Sequence, residues 1–395
     1  MVPPLKGLSV VDLSQALAGP YCSLMLADMG AEVIKIEMPG KGDDIRRWGP
    51  PFLDGESTYF LCINRGKKSV TVNLKTPEGQ EIVRKLASKA DIFLENFRPG
   101  VVDKLRVGYS EIRKLNPRII YCSISGFGQD GPYRDRPAYD LIVQGMGGLM
   151  SVTGEPDGPP VKVGVSITDI GAGMFGCYGI LNALYHREKT GKGHFVDVSM
   201  LDCQVAWMSF LATGYLASGM VPNRLGSAHP SIVPYQAFRT KDIYITIGVG
   251  NESQWRSFCT AIGAEHLVED PRFGINAKRV ANRVELIREI QNILETRDGE
   301  HWLSVLSKAE VPCGPIYTMD KVLSDPQVLH RQMVVAVKQQ RIGKVRMPGI
   351  PVKLSETPGE ISIPAPQLGE HNEEILGQLG YSASQIRGFK EKGII

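Results

Sequence analysis

The sequence lacks paired cysteines. Its seven cysteines, at positions 22, 62, 122, 177, 203, 259 and 313, are odd in number and show no C-x-x-C spacing. This pattern fits reduced thiols better than the disulfide framework of a secreted protein, and no cluster of His and Cys at ligand spacing indicates a metal site. We expect reduced thiols that pack as small core residues, a cytoplasmic protein and no bound metal.

Long hydrophobic runs are also absent. The most apolar helical candidate, Val205 to Met220, is 16 residues long and contains Ser, Thr and Gly, whereas a bilayer span needs about 20 apolar residues. The N-terminal stretch MVPPLKGLSVVDLS has no cationic segment followed by a long apolar one, so no secretory signal is expected. We predict no membrane partner and interpret Val205 to Met220 as a buried interdomain or interface helix.

Neither sign of charge dominates. The chain has 45 Lys and Arg against 42 Asp and Glu, a formal net charge of +3, and no block of like charges. A basic arm for nucleic acid and an acidic tail are therefore both excluded. Any site that binds an anion must be built from a few local cations.

The first two hundred residues alternate β-branched runs with helical stretches, which is typical of an α/β fold with a parallel sheet. In KTPEGQEIVRKLASKAD, for example, Thr76 can cap a helix that starts at Pro77. The predicted strands are Leu8 to Leu13, Glu32 to Glu37, Ser69 to Leu74, Asp91 to Glu95, Ile119 to Ile124, and Phe195 to Val198.

A chain of 395 residues exceeds one ordinary core, so two domains are predicted. From about Gly226 the pattern changes to two short strands and then helices, and a Pro-rich crossing, PGEISIPAPQLGEHN, precedes a last helix. We predict a large domain over residues 1–200 to which residues 326–395 return. A linker helix over 201–225 and a small α+β domain over 226–325 complete the prediction.

One stretch, SITDIGAGMFG, has two chemical interpretations. Gly171, Gly173 and Gly176 form a literal G-x-G-x-x-G, with Asp197 about twenty residues later, as in a dinucleotide-binding fingerprint. The same glycines also suit close helix packing. Asp169, two residues before the first glycine, is either a helix N-cap, with Thr168 as a competing cap, or a carboxylate nucleophile.

Motifs along the whole chain bear on this choice. They include LAGPYCSLMLADMGAEVIKIE, ENFRPGVVDKL, SGFGQDGPY, PAYDLIVQGMGG, KTGKGHFVDVSM, VPCGP and LGEH. Together they resemble the class III CoA-transferases, the family of formyl-CoA:oxalate and carnitine CoA-transferases and of α-methylacyl-CoA racemase. The resemblance implies an interlocked homodimer with a Rossmann-like large domain built from both chain ends. It also implies a catalytic aspartate, at Asp169.

The chemistry of a carboxylate is compatible with that role. A thioester is an activated acyl donor, so attack by Asp169 gives a mixed anhydride and free CoA thiolate. The thiolate then attacks the aspartyl carbonyl, which leaves an aspartyl-CoA thioester and a released acid, and an incoming acid reverses these steps. CoA and its thioesters are substrates, and no permanently bound cofactor is expected.

The resemblance also implies a groove for CoA. Its positions here are Ala18, Leu74, Lys75, Asn96, Phe97, Lys104 and Leu105, with Arg98 adjacent. Phosphates need local positive charge and backbone donors. Met38 stands where some members have a nucleotide-contacting Arg, so Lys41, Arg46 or Arg47 is expected to supply that charge.

Other residues are predicted on the acyl side of the site. Gln15 and Tyr139 are expected at the substrate, and IGVGNES, with Gly248, Gly250 and Asn251, resembles the family's glycine loop or is a plain β-turn. His229, with Ser231, is expected either to bind an acceptor carboxylate or to form a structural turn.

Departures from the family's sequence pattern narrow the choice of reaction. Tyr139 stands where the racemases have a His, and a phenol with a pKa near 10 is a poor base for an α-proton. Leu17 stands where formyl-CoA:oxalate transferases have a Gln, and the tetraglycine of those enzymes does not occur in this sequence. Transfer between formyl-CoA and oxalate is therefore disfavoured. GSAHPSIVPYQAFRTKDIYI resembles the branch that handles dicarboxylates, such as succinyl-CoA:glutarate CoA-transferases. Transfer of CoA to a short dicarboxylate is predicted, with racemisation and then NAD-dependent hydride transfer as alternatives.

Overall fold

The computed structural model describes residues 2–395, which form two compact units. Unit 1 comprises the chain up to Leu149 with Lys162–Gly219 and Pro326–Ile395, and unit 2 comprises Met150–Val161 and Met220–Asp325. The strands, in chain order, are β1 Ser9–Asp12, β2 Glu32–Glu37, β3 Phe52–Leu53, β4 Glu56–Ser57, β5 Lys67–Thr71, β6 Ile92–Glu95, β7 Ile120–Ser125, β8 His194–Ser199, β9 Tyr235–Arg239, β10 Tyr244–Gly248, β11 Cys313–Pro315, β12 Val334–Gln339 and β13 Gly343–Pro348.

The helices are numbered in the same way, and a 3₁₀ helix spans Asp44–Arg47. They are α1 Ala18–Asp28, α2 Thr58–Asn64, α3 Pro77–Lys89, α4 Val101–Lys104, α5 Tyr109–Leu115, α6 Asp140–Met146, α7 Leu149–Val152, α8 Ile167–Thr190, α9 Met200–Ser218, α10 Glu252–Ala261, α11 His266–Glu269, α12 Asn276–Ala281, α13 Arg283–Leu294, α14 Gly299–Lys308, α15 Met319–Val322, α16 Pro326–His330, α17 Asn372–Gln378 and α18 Ala383–Glu391. Within residues 2–395 no helix has both the length and the apolar character needed to cross a bilayer.

Unit 1 is built on a six-stranded sheet in the order β5-β2-β1-β6-β7-β8, in which every neighbouring pair is parallel. Val10 of β1 lies opposite Val33 of β2 on one side and Ile92 of β6 on the other. Every residue of β6 and β7 is buried, as in parallel sheets covered on both faces. The predicted α/β fold with a parallel sheet is confirmed.

The chain reverses its direction of travel across this sheet between β1 and β6. From β1 it moves outward to β2 and β5, then returns to β6 on the other side of β1 and continues to β7 and β8. In open parallel sheets, ligands bind in the crevice at such a reversal, beyond the carboxyl ends of the strands. The loops that follow Asp12 and Glu95 border this crevice.

One face of the sheet is covered by α1 and α8, which approach closely. A side-chain carbon added at Gly173 would lie 2.6 Å from the carbonyl oxygen of Ala18, and one at Gly176 would lie 2.9 Å from Ile124. The G-x-G-x-x-G glycines therefore lie inside a helix that begins at Ile167, and they serve helix packing. The dinucleotide interpretation is wrong, because a pyrophosphate needs these glycines in the turn that opens a helix.

The opposite face receives the C-terminal segment. Ile375 and Leu376 of α17 and the penultimate residue, Ile394, join the buried cluster that contains Val70 of the sheet. The amide of Asn73 donates to the carbonyl of Ile394 (2.7 Å). Both ends of the chain thus complete one core in unit 1.

The boundaries of the units differ from the predicted ones at two segments. The helix α9 belongs to unit 1, because Met200 and Cys203 are buried in the core beneath α8. Residues 150–161 belong to unit 2, where Arg224 donates to the carbonyl of Gly158 (2.7 Å).

Unit 2 has its own α+β core. Its antiparallel sheet has the order β11-β10-β9, and the helices α10 to α14 follow in sequence. Trp255, Phe258 and Leu286 are buried together beneath this sheet. The guanidinium of the buried Arg279 pairs with Glu252 (2.7 Å) and lies over the ring of Trp255.

Candidate active site

A cavity of about 630 Å³ opens in unit 1 at the carboxyl ends of β1, β6 and β7. It lies at the chain reversal described above. Its walls are the loops after β1 and β6, the 3₁₀ helix and the residue that follows it, and the starts of α6 and α8. Its lining includes Gln15, Ala18, Trp48, Tyr59, Asn96, Phe97, Arg98, Tyr139, Asp140, Ser166 and Asp169.

Asp169 enters this cavity from the first turn of α8. Ser166 occupies the N-cap position, so Asp169 is the third helical residue and does not cap the helix. Within residues 2–395 its carboxylate has no hydrogen-bond or ion-pair partner. Burial, and then the charge of Asp140, raises the pKa of Asp169 to about 7. A solvated carboxyl group has a pKa near 4, and the shift arises because the side chain is partly withdrawn from water.

Asp140 is a second carboxylate at the same cavity with different surroundings. It accepts hydrogen bonds from the amide of Thr168 (2.9 Å), the hydroxyl of Thr168 (2.7 Å) and the side-chain amide of Gln144 (2.7 Å). These bonds fix the start of α8 onto the start of α6. Asp140 thus anchors the helix that presents Asp169, and residues 2–395 contain no group of three His, Cys, Asp or Glu placed to hold a metal.

Two aromatic residues near Asp169 were not predicted. Trp48 and Tyr59 line the cavity, and their rings meet edge to face with centroids 5.6 Å apart. Burial, and then the charge of Asp169, raises the pKa of Tyr59 to about 12. Its phenol therefore stays a hydrogen-bond donor beside the carboxylate at any physiological pH.

Gln15 is held at the cavity by Asn96. The backbone amide of Gln15 donates to the Asn96 side-chain oxygen (2.8 Å), and the Asn96 side-chain nitrogen donates back to the Gln15 carbonyl (2.8 Å). Glu95, buried at the end of β6, accepts the amide of Phe97 (2.8 Å). The loops that follow β1 and β6 therefore brace each other across the chain reversal.

The chain is similar to known proteins of one family. The model of CoA-transferase family III matches residues 5–372. The chain belongs to this family. It is 42% identical over 395 residues to human succinyl-CoA:glutarate CoA-transferase, covering 100% of this chain and 90% of that protein. It is 43% identical over 385 residues to the succinate–glutarate CoA-transferase of Agrobacterium fabrum, covering 95% and 96%.

A solved structure supports the same assignment. A CaiB/BaiF family protein from Brucella suis superimposes with a TM-score of 0.85 and 41% sequence identity, covering 96% of this chain and 100% of that one. The protein is thus a CoA-transferase, as the sequence motifs predicted.

The predicted CoA groove of this transferase falls into two groups. Ala18, Asn96, Phe97 and Arg98 line the cavity, as do Gln15 and Tyr139. The second group lies outside its lining and comprises Leu74, Lys75, Lys104 and Leu105. Leu74, Leu105 and Phe97 pack against the same core cluster, while Lys75 and Lys104 are exposed. Contact of this second group with CoA stays a prediction.

The cations expected to compensate for Met38 have partners of their own. Arg46 pairs with the buried Glu37 through two bonds of 2.8 Å, and its guanidinium lies over the ring of Phe60. Lys41 and Arg47 both pair with Asp44, at 3.1 and 2.7 Å, on the surface. Lys41 and Arg47 can therefore exchange their bond with Asp44 for one with an anionic ligand, whereas Arg46 is held by Glu37.

The predicted residues of unit 2 have local partners. The amide of Gly248 donates to the carbonyl of Pro312 (2.9 Å), and that of Gly250 donates to the side chain of Gln254 (2.8 Å). Asn251 caps α10 through its side-chain oxygen. Gly248 and Gly250 thus offer no unbonded amide to an oxyanion in this conformation, which favours the turn interpretation.

His229 likewise has a local structural role. Its Nδ1 accepts the amide of Ser231 (3.0 Å), and its ring meets that of Tyr235 edge to face. Burial, and then the charge of Arg283, lowers the pKa of His229. The imidazole of His229 is therefore neutral near pH 7. Its binding of an acceptor carboxylate stays a prediction.

Proposed function

We propose that this CoA-transferase moves CoA from a donor such as succinyl-CoA to a short dicarboxylic acid, with Asp169 as the nucleophile. The observation that carries the proposal is the Asp169 carboxylate, which has no partner in the cavity while the neighbouring Asp140 accepts three hydrogen bonds. The substrate class follows the two relatives, which are named for succinyl-CoA or succinate and for glutarate.

The first half-reaction releases the donor acid. An oxygen of Asp169 attacks the thioester carbonyl, the C–S bond breaks, and the electron pair leaves with CoA as a thiolate. The thiolate then attacks the aspartyl carbonyl of the mixed anhydride, and the donor acid departs as a carboxylate. The side-chain amide of Gln15 and the phenol of Tyr59 face the same cavity and are proposed as donors to the oxyanions.

The second half-reaction repeats these steps with the acceptor. Its carboxylate attacks the aspartyl-CoA thioester and expels the CoA thiolate, which then attacks the acceptor carbonyl of the new anhydride. The C–O bond to Asp169 breaks, so that the enzyme recovers its carboxylate and the acceptor leaves as a CoA thioester. No proton, electron or metal is consumed.

Anionic substrates need cations at the entrance of the cavity. Arg98, Arg134, Arg136 and Lys162 line it, against the carboxyl groups of Asp44, Asp140 and Asp169. Guanidinium groups bind phosphates and carboxylates through paired N–H donors. We assign these four side chains to the phosphates of CoA and to the second carboxylate of the acceptor.

We also propose that the enzyme is a homodimer, as its family resemblance implies. Large apolar side chains of α8 and α9 stay exposed in a single chain, among them Tyr178 (66%), Tyr185 (65%) and Leu216 (81%). Such surfaces are usually covered by a partner. Light scattering on the purified protein tests this proposal, and a monomeric mass at micromolar concentration would contradict it.

The proposed reaction is tested by incubating the protein with succinyl-CoA and a panel of mono- and dicarboxylic acids. We expect mass spectrometry to show a new dicarboxylyl-CoA and an equal amount of free succinate. Hydroxylamine added during turnover should convert the acyl intermediate into a hydroxamate on the peptide that contains Asp169. If no acid accepts CoA and deuterium instead exchanges into the α-position of a 2-methylacyl-CoA, racemisation replaces this proposal.

A further inference from the structure

An ion pair lies buried behind the loop that carries Gln15. Lys35, in the middle of β2, and Asp43, just before the 3₁₀ helix, are 2.8 Å apart, and both side chains are 0% exposed. Removing two charges from water carries a large free-energy penalty, so a buried pair seldom adds net stability over apolar side chains. The role of the pair therefore depends on the other groups that its atoms contact.

Both members of the pair bind the backbone of the loop between β1 and α1. The Lys35 ammonium donates to the carbonyl of Ser14 (2.8 Å), and Asp43 accepts the amide of Ala16 (3.1 Å). Asp43 also accepts the amide of Ile45 (3.2 Å) and so starts the 3₁₀ helix. The pair thus ties together two walls of the cavity.

The loop needs such support because its conformation is unfavourable. Ala16 has a φ of 61°, in the left-handed region that is unfavourable for a residue with a Cβ. Asn96 holds the preceding residue, Gln15, from the other side. The backbone from Ser14 to Ala16 is therefore fixed by side chains from β2, from the 3₁₀ helix and from the loop after β6.

We propose that Lys35 and Asp43 are positioning residues for CoA transfer. Neither touches the cavity, and they act by holding the loop Ser14 to Leu17 so that Gln15 keeps its place opposite the reacting carbonyl. This inference rests on the proposed function. It predicts that loss of the pair lowers kcat, whereas KM for acyl-CoA changes little because the cations assigned above to the substrates, Arg98, Arg134, Arg136 and Lys162, lie outside this loop.

A matched pair of double variants tests the proposal. Lys35→Met with Asp43→Asn removes both charges and retains an acceptor for the Ala16 amide. The control, Arg65→Met with Asp28→Asn, removes a buried ion pair of 2.7 Å that is remote from this loop, at the amino ends of the strands. We expect the first variant to lose kcat by at least about tenfold with KM within about threefold, and the control to keep both within about twofold. Equal losses of kcat in the two variants would overturn the proposal.

Hydrogen exchange gives a second measurement that does not depend on the substrate. The amides of Gln15 and Ala16 should exchange at least about tenfold faster in the Lys35 and Asp43 double variant than in the wild type, and at the wild-type rate in the control. If the double variant does not fold, the isosteric Asp43→Asn alone should show the same changes to a smaller degree.

The two proposals fail in different ways. Wild-type protein that transfers CoA to no acid overturns the proposed function, and the exchange rates of Gln15 and Ala16 still test the loop. Wild-type exchange and wild-type kcat in the Lys35 and Asp43 variants would overturn the positioning role while the proposed function stands.

Discussion

Unit 1 has one cavity at the amino ends of its parallel strands, the amino edge, and one at their carboxyl ends, the carboxyl edge. The two cavities differ in chemistry more than in size. The cavity at the amino ends of β1, β2 and β5 is the larger, about 840 Å³, against about 630 Å³ at the carboxyl ends. Two of its cations are held by carboxylates: Arg65 pairs with Asp28 at 2.7 Å, and Lys68 pairs with Glu32 and Glu374 at 2.6 and 2.7 Å. At the carboxyl edge, Asp169 has no such partner.

The volume of a cavity therefore does not locate the reactive site of this fold. A carboxylate whose charge is already neutralised by a guanidinium has little tendency to attack a carbonyl. A carboxylate that is poorly solvated and without donors is more nucleophilic once it is ionised. The direction of the strands and the supply of hydrogen-bond donors therefore distinguish the two edges.

The largest expected effect is that of Asp169→Asn. Asn keeps the shape of the side chain and cannot form the anhydride, so CoA transfer should fall by roughly three orders of magnitude or more. Steady-state rates with succinyl-CoA and the best acceptor measure this loss. Retained binding of CoA, followed by calorimetry, would show that the cavity is intact.

The converse result would contradict the mechanism. Because Ser166 and not Asp169 is the N-cap of α8, the variant should not fail through the loss of a cap. An Asp169→Asn protein with full transferase activity would exclude Asp169 as the nucleophile.

The sequence predicted the sheet more completely than the site. The runs at Glu32 to Glu37 and Ile119 to Ile124 are continuous and apolar enough to indicate strands without any knowledge of their neighbours. Lys35 was not predicted to be buried, because a lysine in a strand is usually at the surface. Its burial depends on Asp43 and Ser14, and no local pattern encodes those contacts.

The same limit applies to the carboxylates. The family motifs identified Asp169 as the catalytic aspartate. Nothing in the sequence indicates that Asp140 accepts three hydrogen bonds while Asp169 accepts none. Tyr59 was missed for a related reason, since its place beside Asp169 arises only when α2 and α8 meet at one cavity. Burial and donor supply are properties of the folded chain.

The pH dependence of transfer should be the next largest effect. Attack requires the ionised carboxylate, and burial raises the pKa of Asp169 to about 7. The value of kcat/KM should therefore rise about tenfold per pH unit below pH 7 and level off above it. A profile that is already flat at pH 5 would show that Asp169 titrates like a solvated carboxyl group.

A smaller effect is expected on stability. The folded protein holds the Asp169 proton more tightly than the unfolded chain, so the wild type loses stability as the pH rises from about 4 to about 7. Asn cannot ionise, so Asp169→Asn should stabilise the protein by on the order of 2 kcal/mol at pH 8 and hardly at all at pH 4. Thermal unfolding at both pH values measures the difference, and a gain only at pH 4 would contradict the sign.

Removal of an exposed positive charge at the carboxyl edge should weaken the binding of acyl-CoA modestly and should not affect kcat. Lys104 is exposed at the end of α4, and one solvated ion pair is worth about 0.2–1 kcal/mol. Lys104→Ala should therefore raise KM for acyl-CoA by about two- to fivefold at low salt and leave kcat unchanged. The effect should shrink in high salt because screening weakens exposed charges. A large loss of kcat with unchanged KM would place Lys104 elsewhere in the reaction.

The smallest effect is expected at the opposite edge, from Lys68→Ala. Lys68 is also a lysine of unit 1, but it stands at the amino end of β5 and its ammonium is shared by Glu32 and Glu374. Because no reacting group lies at that edge, kcat and KM should stay within about twofold of the wild type, and the salt dependence of KM should not change. If Lys68→Ala raised KM for acyl-CoA as much as Lys104→Ala does, CoA would have to reach the amino edge, and the distinction between the two cavities would fail.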